Sequence, residues 1–184
     1  MLGIPLGAFI AFAAGMVSVI GFVSAVELSS NEGMCLSCHE MKDNVYAEYQ
    51  ETSHYNNRTG VRATCADCHE PHPWGPKIVR KIRATLVEVP QHILGELDTA
   101  EKFEAHRARM AQDVWDEMKQ NDSRECRSCH SQEHMDLAAQ DKSARKKHAL
   151  EVWREQGKTC IDCHKGIAHH LPDVALDSTV PDSD

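Results

Sequence analysis

All eight cysteines of this 184-residue chain fall in four copies of one pattern. They are Cys35-Leu-Ser-Cys38-His39, Cys65-Ala-Asp-Cys68-His69, Cys126-Arg-Ser-Cys129-His130 and Cys160-Ile-Asp-Cys163-His164. Cys-x-x-Cys-His is the attachment sequence for c-type haem. Two thiols one helical turn apart add to the two vinyl groups of one porphyrin, and the adjacent imidazole reaches the iron as its proximal ligand. Paired Cys-x-x-Cys units also bind zinc, but zinc gives no reason for a His directly after every second Cys. A disulfide framework is open to eight cysteines in a secreted chain, and it leaves the same four His unexplained. The spacing therefore predicts four covalently attached haems c, with His39, His69, His130 and His164 as proximal ligands.

A haem that only passes electrons is closed on both faces, whereas one that does chemistry keeps a position open. Eight further His are present: His54, His72, His92, His106, His134, His148, His169 and His170. The chain carries a weak internal repeat, Cys35…His54…Thr64-Cys65-Ala-Asp67-Cys68-His69…His72 against Cys126…His148…Thr159-Cys160-Ile-Asp162-Cys163-His164…His169. His54, His148 and His169 recur at matching places and are the candidate distal ligands. His72 shares the repeat but follows its own motif by three residues, so it is a lesser candidate. His92, His106, His134 and His170 have no such support. The first motif differs, because Met41 follows His39 by two residues. Residues two apart on a regular helix point in different directions, so either Met41 or His39 holds that iron, and a Met merely packed beside the porphyrin fits the same spacing.

Composition agrees with an interior that is not made of side chains. Only 5% of residues are aromatic, and aromatics normally dominate core burial. The formal net charge of −8 offers no basic excess for phosphates and argues against a nucleic-acid partner.

The elements that must position the haems are helical. No charged side chain occurs from Met1 to Val26. Twenty-six helical residues rise about 39 Å, enough to cross a hydrocarbon core of ~30 Å. A cleaved signal peptide has a shorter apolar region preceded by Lys or Arg, so residues 1–26 read as an uncleaved anchor. Gly3, Gly7, Gly15 and Gly21 would let a second helix approach closely, which raises the prospect of a homo-oligomer through this helix. Haem attachment is extracytoplasmic in bacteria, which places residues 27–171 in the periplasm as a compact cytochrome domain. Two di-haem modules, about 27–76 and 122–171, flank a helical connector, 77–121. Within it, Lys77–Val89 reads as a short basic amphipathic helix stopped near Pro90, of the kind that often lies on membrane surfaces. Asp98-x-x-Glu101 resembles a capping box before a helix striped with Phe103, Met110, Val114 and Met118. A further helix around Ala144–Glu155 carries His148 and ends at Gly157. Residues 172–184 read as an acidic solvated tail. The expected class is mainly α, one N-terminal transmembrane helix plus a multihaem domain, with little or no β.

The first motif with Met41, His54-Tyr-Asn-Asn-Arg-Thr-Gly-Val-Arg-Ala-Thr-Cys65, Cys68-His69-Glu-Pro-His72-Pro-Trp-Gly-Pro-Lys77, and Cys160-Ile-Asp-Cys163-His164-Lys-Gly-Ile-Ala-His169 resemble the NapC/NirT family of membrane-anchored tetrahaem quinol dehydrogenases. The resemblance runs from the anchor to about Leu171 and is nearer to NapC-type than to the shorter NrfH-like members. It implies a single-pass protein of the bacterial inner membrane that serves anaerobic respiration. Quinol, menaquinol or ubiquinol, would be oxidised at the periplasmic face. Electrons would pass to a periplasmic reductase or its cytochrome subunit, nitrate-type foremost, with nitrite or other N- or S-oxide reductases as further options. By the same resemblance Met41 takes the first haem in place of His39, His169 caps the second haem and His54 the fourth. His148 serves the third internally. Lys81 and Glu88 stand where the family's quinol site has a Lys and a carboxylate, Glu88 as the base and Lys81 as the group that orients the quinol oxygen.

Two rival functions remain. A haem enzyme that itself reduces a small oxyanion would need an open iron in a pocket of catalytic side chains, often with a Cys-x-x-Cys-Lys motif, and all four motifs here end in His. A multihaem shuttle without its own quinol site, soluble or membrane-bound, would have full bis-His ligation; the soluble form would also lose residues 1–26.

Overall fold

The computed structural model describes residues 5–173; the first four residues of the expected anchor and nearly all of the expected acidic tail lie outside them. Helix α1, Leu6–Leu28, is uncharged until Glu27 and has a mean hydropathy of 2.3 over its most apolar window, with none of that window buried. At 1.5 Å per residue its 23 residues span about 35 Å, and a helix satisfies its own backbone groups, as a membrane interior requires. Ser18 keeps its hydroxyl satisfied within the helix by donating to the Ala14 carbonyl. The helix stops where Ser29 and Ser30 donate their hydroxyls to the Val26 carbonyl.

The remainder is a set of short helices around one long one. Helix α2 (Glu32–Cys35) enters the first motif, and a π-helical turn (Met41–Tyr46) follows it and runs into α3 (Ala47–Gln50). Helix α4 (Cys65–His69) is the second motif, and α5 (Trp74–Arg83), a π-helical turn (Ala84–Glu88) and α6 (Val89–Ile93) form one continuous run. The long helix α7 (Ala100–Gln120) leads to α8 (Arg124–Arg127) at the third motif. Helices α9 (Lys142–His148) and α10 (Leu150–Gln156) precede α11 (Cys160–Cys163) at the fourth. No strand occurs among the described residues, in agreement with the expected class.

Three local expectations need correction. The run from α5 does not stop at Pro90, because a π-helical turn intervenes and Pro90 falls in the first turn of α6, where its missing N–H costs nothing. The Asp98-x-x-Glu101 cap is displaced by one residue: Thr99 is the N-cap and accepts from the Lys102 N–H, while Asp98 pairs with the Lys102 ammonium at 2.7 Å. The helix around His148 is two helices, broken at Ala149, whose ψ of 130° is extended. Gly157, at φ 57°, ends the second of them as expected.

Very little of the chain buries apolar surface against itself. Besides Pro71, the buried apolar side chains are Val26, Tyr49, Leu97, Phe103 and Ile161. In the helix α7 stripe only Phe103 is buried; Met110, Val114 and Met118 are half-buried. Ion pairs do much of the joining. Arg107 on α7 bonds Glu48 on α3 and donates to the His170 carbonyl. Lys119 at the end of α7 reaches Asp162 of the fourth motif at 2.9 Å, and Arg62 bonds Glu32 in bidentate fashion between the first two motifs. A domain of this length needs more apolar burial than that, which the porphyrins expected from the four motifs would supply.

Candidate haem sites and the anchor junction

The second and fourth motifs are built alike. Thr64 and Thr159 each cap their motif helix, and Asp67 and Asp162 each accept from the backbone N–H of that Thr, at 2.6 and 2.7 Å. These reciprocal capping boxes fix the first turn of the helix that holds both cysteines on one side. Ser123, with φ 50° and fully buried, accepts at Oγ from the Ile161 N–H and so joins the third motif to the fourth.

The cysteines adjoin in sequence order. Helix α2 packs against α4, α4 packs against α8, and Ser123 beside α8 bonds Ile161 of α11; the neighbouring thiols hold Cys35 low and Cys65 high, and Cys160 low and Cys126 high. Cys68 is raised first by burial and then by neighbouring charges that include Cys129. First to second, second to third, and third to fourth, the attachment points run on without a break.

Each motif His faces a second imidazole. Ring centroids lie 6.1 Å apart for His69 and His169, 5.8 Å for His148 and His164, 6.1 Å for His54 and His130, and 6.2 Å for His39 and His92. A metal held by two imidazole nitrogens at about 2 Å each puts their centroids about 6 Å apart. His169 is oriented by a bond from Nδ1 to the Val45 carbonyl and His148 by one to the Gln140 side chain, which leaves Nε2 of each directed elsewhere. Burial pushes His69 down to about 4 and lowers His164 and His169 as well, so all three are neutral, the form that binds a metal. The donor set fits four haems c.

The resemblance put His54 on the fourth haem and His148 on the third; in the structure the ring beside His54 is His130 of the third motif and the ring beside His148 is His164 of the fourth. His92, left without a role by the sequence, lies beside His39. No repeat marks it, because it stands in the connector and has no counterpart in the second module. His72 is exposed and pairs with no other ring among the described residues.

The first site is unlike the others. His39 engages the Asp98 carbonyl through Nε2 at 3.1 Å, while its Nδ1 lies 2.9 Å from Glu40 Oε2, a buried oxygen with no hydrogen-bond partner among the described residues. Glu40, buried, also holds His92 Nδ1 at 2.5 Å. Ligand atoms of Cys38, Glu40 and His92 lie within 4.8 Å of one another, so this cluster sits at the first attachment point. Met41 opens the π-helical turn that follows, and such turns recur at functional sites because the extra residue re-aims side chains.

The quinol-site candidates lie on the α5 run but do not pair with each other. Lys81 bonds Glu70 at 2.8 Å, whereas Glu88, half exposed, forms a charge pair with Arg80 at 2.7 Å without hydrogen-bond geometry. Glu70 is the residue that sequence reasoning missed. It directly follows His69, accepts from Ser30 at 2.6 Å and pairs with Lys77 at 3.3 Å, while Lys77 reaches Glu27 at 3.4 Å. Burial pushes the Glu70 carboxyl up, and its bonds from Lys81, Ser30 and Lys77 outweigh this and hold it below the usual range. Its contact with the end of α1 joins residues 40 apart, which no local pattern in the sequence marks. The junction fastens the end of α1 to the second motif and to α5.

Comparison with known proteins gives the same picture. The profile of the NapC/NirT cytochrome c family, N-terminal region, matches residues 3–174. The cytochrome c-type protein NapC of Escherichia coli K12 is 53% identical over 165 residues, 90% of this chain and 81% of its own. The denitrification system component NirT of Stutzerimonas stutzeri is 56% identical over 160 residues, 87% of this chain and 78% of its own. A putative tetraheme cytochrome c of Allochromatium vinosum is 47% identical over 161 residues, 88% and 85%. No solved structure matches the chain. The chain belongs to the NapC/NirT cytochrome c family and is a membrane-anchored multihaem electron-transfer protein.

Proposed function

We propose that this protein oxidises quinol at the periplasmic face of the inner membrane and hands the electrons to a periplasmic reductase, of the nitrate-reducing type foremost. The observation that carries the reading is the position of Lys81: it is held by Glu70, whose other oxygen is bound by Ser30 at the end of the membrane helix. An apolar quinol leaving lipid meets that lysine at the boundary. Relatives named NapC and NirT support a respiratory reductase as the partner.

Quinol must lose two protons and two electrons. Lys81 orients the quinol oxygen and stabilises negative charge developing on it, with Glu70 fixing the ammonium. Glu88 accepts a proton and, being half exposed, releases it to the periplasm. The motif cysteines, with His69, His130 and His164, Met41 or His39 at the first site, and His54, His148 and His169, would hold the four haems, which would supply one-electron redox centres. Because every distal ligand in this set comes from the chain itself, the reductase is a transient partner and not a permanent subunit. The periplasmic placement of residues 27–171 follows from where haem is attached.

The test is menaquinol-driven haem reduction by the full-length protein in nanodiscs, with Lys81→Met and Glu88→Gln beside the native chain. Slower reduction by quinol with unchanged reduction by dithionite supports the site; native rates in the double variant refute it.

A further inference from the structure

The run from α5 to α6 is amphipathic in the inverted sense. Three of its four cations point into the protein: Lys77, Arg80 and Lys81 are only 15%, 23% and 20% exposed at their side chains and are taken up by Glu27, Glu70 and Glu88, whereas Arg83 is 54% exposed and lies 3.7 Å from Glu117. The apolar residues point out. Val79, Ile82 and Leu86 follow one another at helical spacing, Ile93 and Leu94 lie beyond the π-helical turn, and all five are between 54% and 75% exposed. An exposed apolar strip of this length on a globular surface marks an interaction site.

What lies over it is indicated by where the run begins. Lys77 contacts Glu27, and Glu70 contacts Ser30, so the first turns of α5 are fastened to the last turn of the membrane-spanning helix. Leu28, at that same end, is itself 72% exposed. Trp74 opens α5, an amphipathic ring of the type enriched at the membrane–water boundary. The strip is therefore continuous with the lipid-facing surface of the anchor.

We infer that residues 79–94 form a second membrane contact, an in-plane segment whose Val79, Ile82, Leu86, Ile93 and Leu94 side chains enter the headgroup–acyl boundary of the outer leaflet beside α1. The contact is chiefly apolar, since three of the four cations are taken up inside the protein and Arg83 is paired with Glu117, and this separates it from the basic helices that bind anionic lipid by charge. It rests on the membrane anchor alone and stands whether or not quinol is the substrate. Its effect is to hold the haem domain at a fixed tilt on the bilayer, with the first two motifs against the membrane.

The test places photoreactive benzoylphenylalanine at Leu86, Ile93 and, as a control, Lys146 on α9, in the full-length four-haem protein in nanodiscs of phosphatidylethanolamine and phosphatidylglycerol. The inference predicts lipid adducts at Leu86 and Ile93 and none at Lys146, undiminished in high salt. Adducts to porphyrin, adducts to a second copy of the chain, or adducts lost in salt would each overturn it. Hydroxyl-radical footprinting of the unsubstituted protein gives an independent arm. Leu86 and Ile93 should be protected in nanodiscs, while Val61, which is 72% exposed on a loop, is labelled freely; equal labelling of all three contradicts the inference.

Discussion

The ring of His54, in the first half of the chain, stands 6.1 Å from that of His130, in the second, with the two planes at 80°. His169 makes the reverse crossing to His69 at 6.1 Å. Each half thus brings an imidazole beside a motif of the other, and the modules interlock through paired His rings where a protein of ordinary composition would use a shared apolar core.

His54→Ala should therefore leave all four haems covalently attached and convert about one in four from low-spin to high-spin, because removing an axial imidazole opens one iron and no more. Magnetic circular dichroism with a count of haems per chain checks it. An unaltered low-spin signal would remove His54 from the ligand set.

Arg107 is 9% exposed at its side chain and Glu48 11%, and their pair is the main tie between α3 and α7. Arg107→Ala strands the buried carboxylate and should destabilise the domain by about 3–5 kcal/mol, whereas the double change Arg107→Met, Glu48→Leu, which leaves no stranded charge, should recover much of that loss. Denaturant unfolding followed by the haem spectrum measures both.

The same pair sets an acid limit. Burial pushes the Glu48 carboxyl up, but the Arg107 guanidinium and the His170 N–H outweigh it and hold the group below its ordinary 4.5. A depressed carboxylate gives its stabilisation in full above the ordinary value and loses it as pH falls through the depressed one. Stability should therefore fall on acidification below about 4.5, and Glu48→Gln should flatten that part of the profile. A profile of the same slope in the variant would assign the acid loss to other groups.

Thr64→Ala and Thr159→Ala each remove a capping-box hydroxyl and should cost about 1 kcal/mol, with a lower yield of fully haem-loaded protein. The repeat of Thr-Cys-x-Asp-Cys-His was legible in the sequence as a duplication; that it is also a helix cap needed the backbone, because the same four residue types fit an extended segment equally well. The haem cysteines, the anchor and the absence of strands were legible for the same reason in each case: the chemistry or the solvent tolerates few alternatives. Pairings across the modules were not. Which imidazole meets which motif depends on how helices cross, so sequence order alone sets neither His54 beside His130 nor His148 beside His164, and it gives His92 no neighbour. The turn at Ala84–Glu88 was missed because a single extra residue changes the face on which later side chains fall without altering the apolar pattern before it.

The most direct test of the whole account mixes the native full-length protein, in nanodiscs and with no other protein present, with reduced menaquinone and follows the haem absorbance. The account predicts rapid reduction by quinol, with a further haem fraction reached only by dithionite. Four haems that dithionite reduces and quinol leaves oxidised would contradict it.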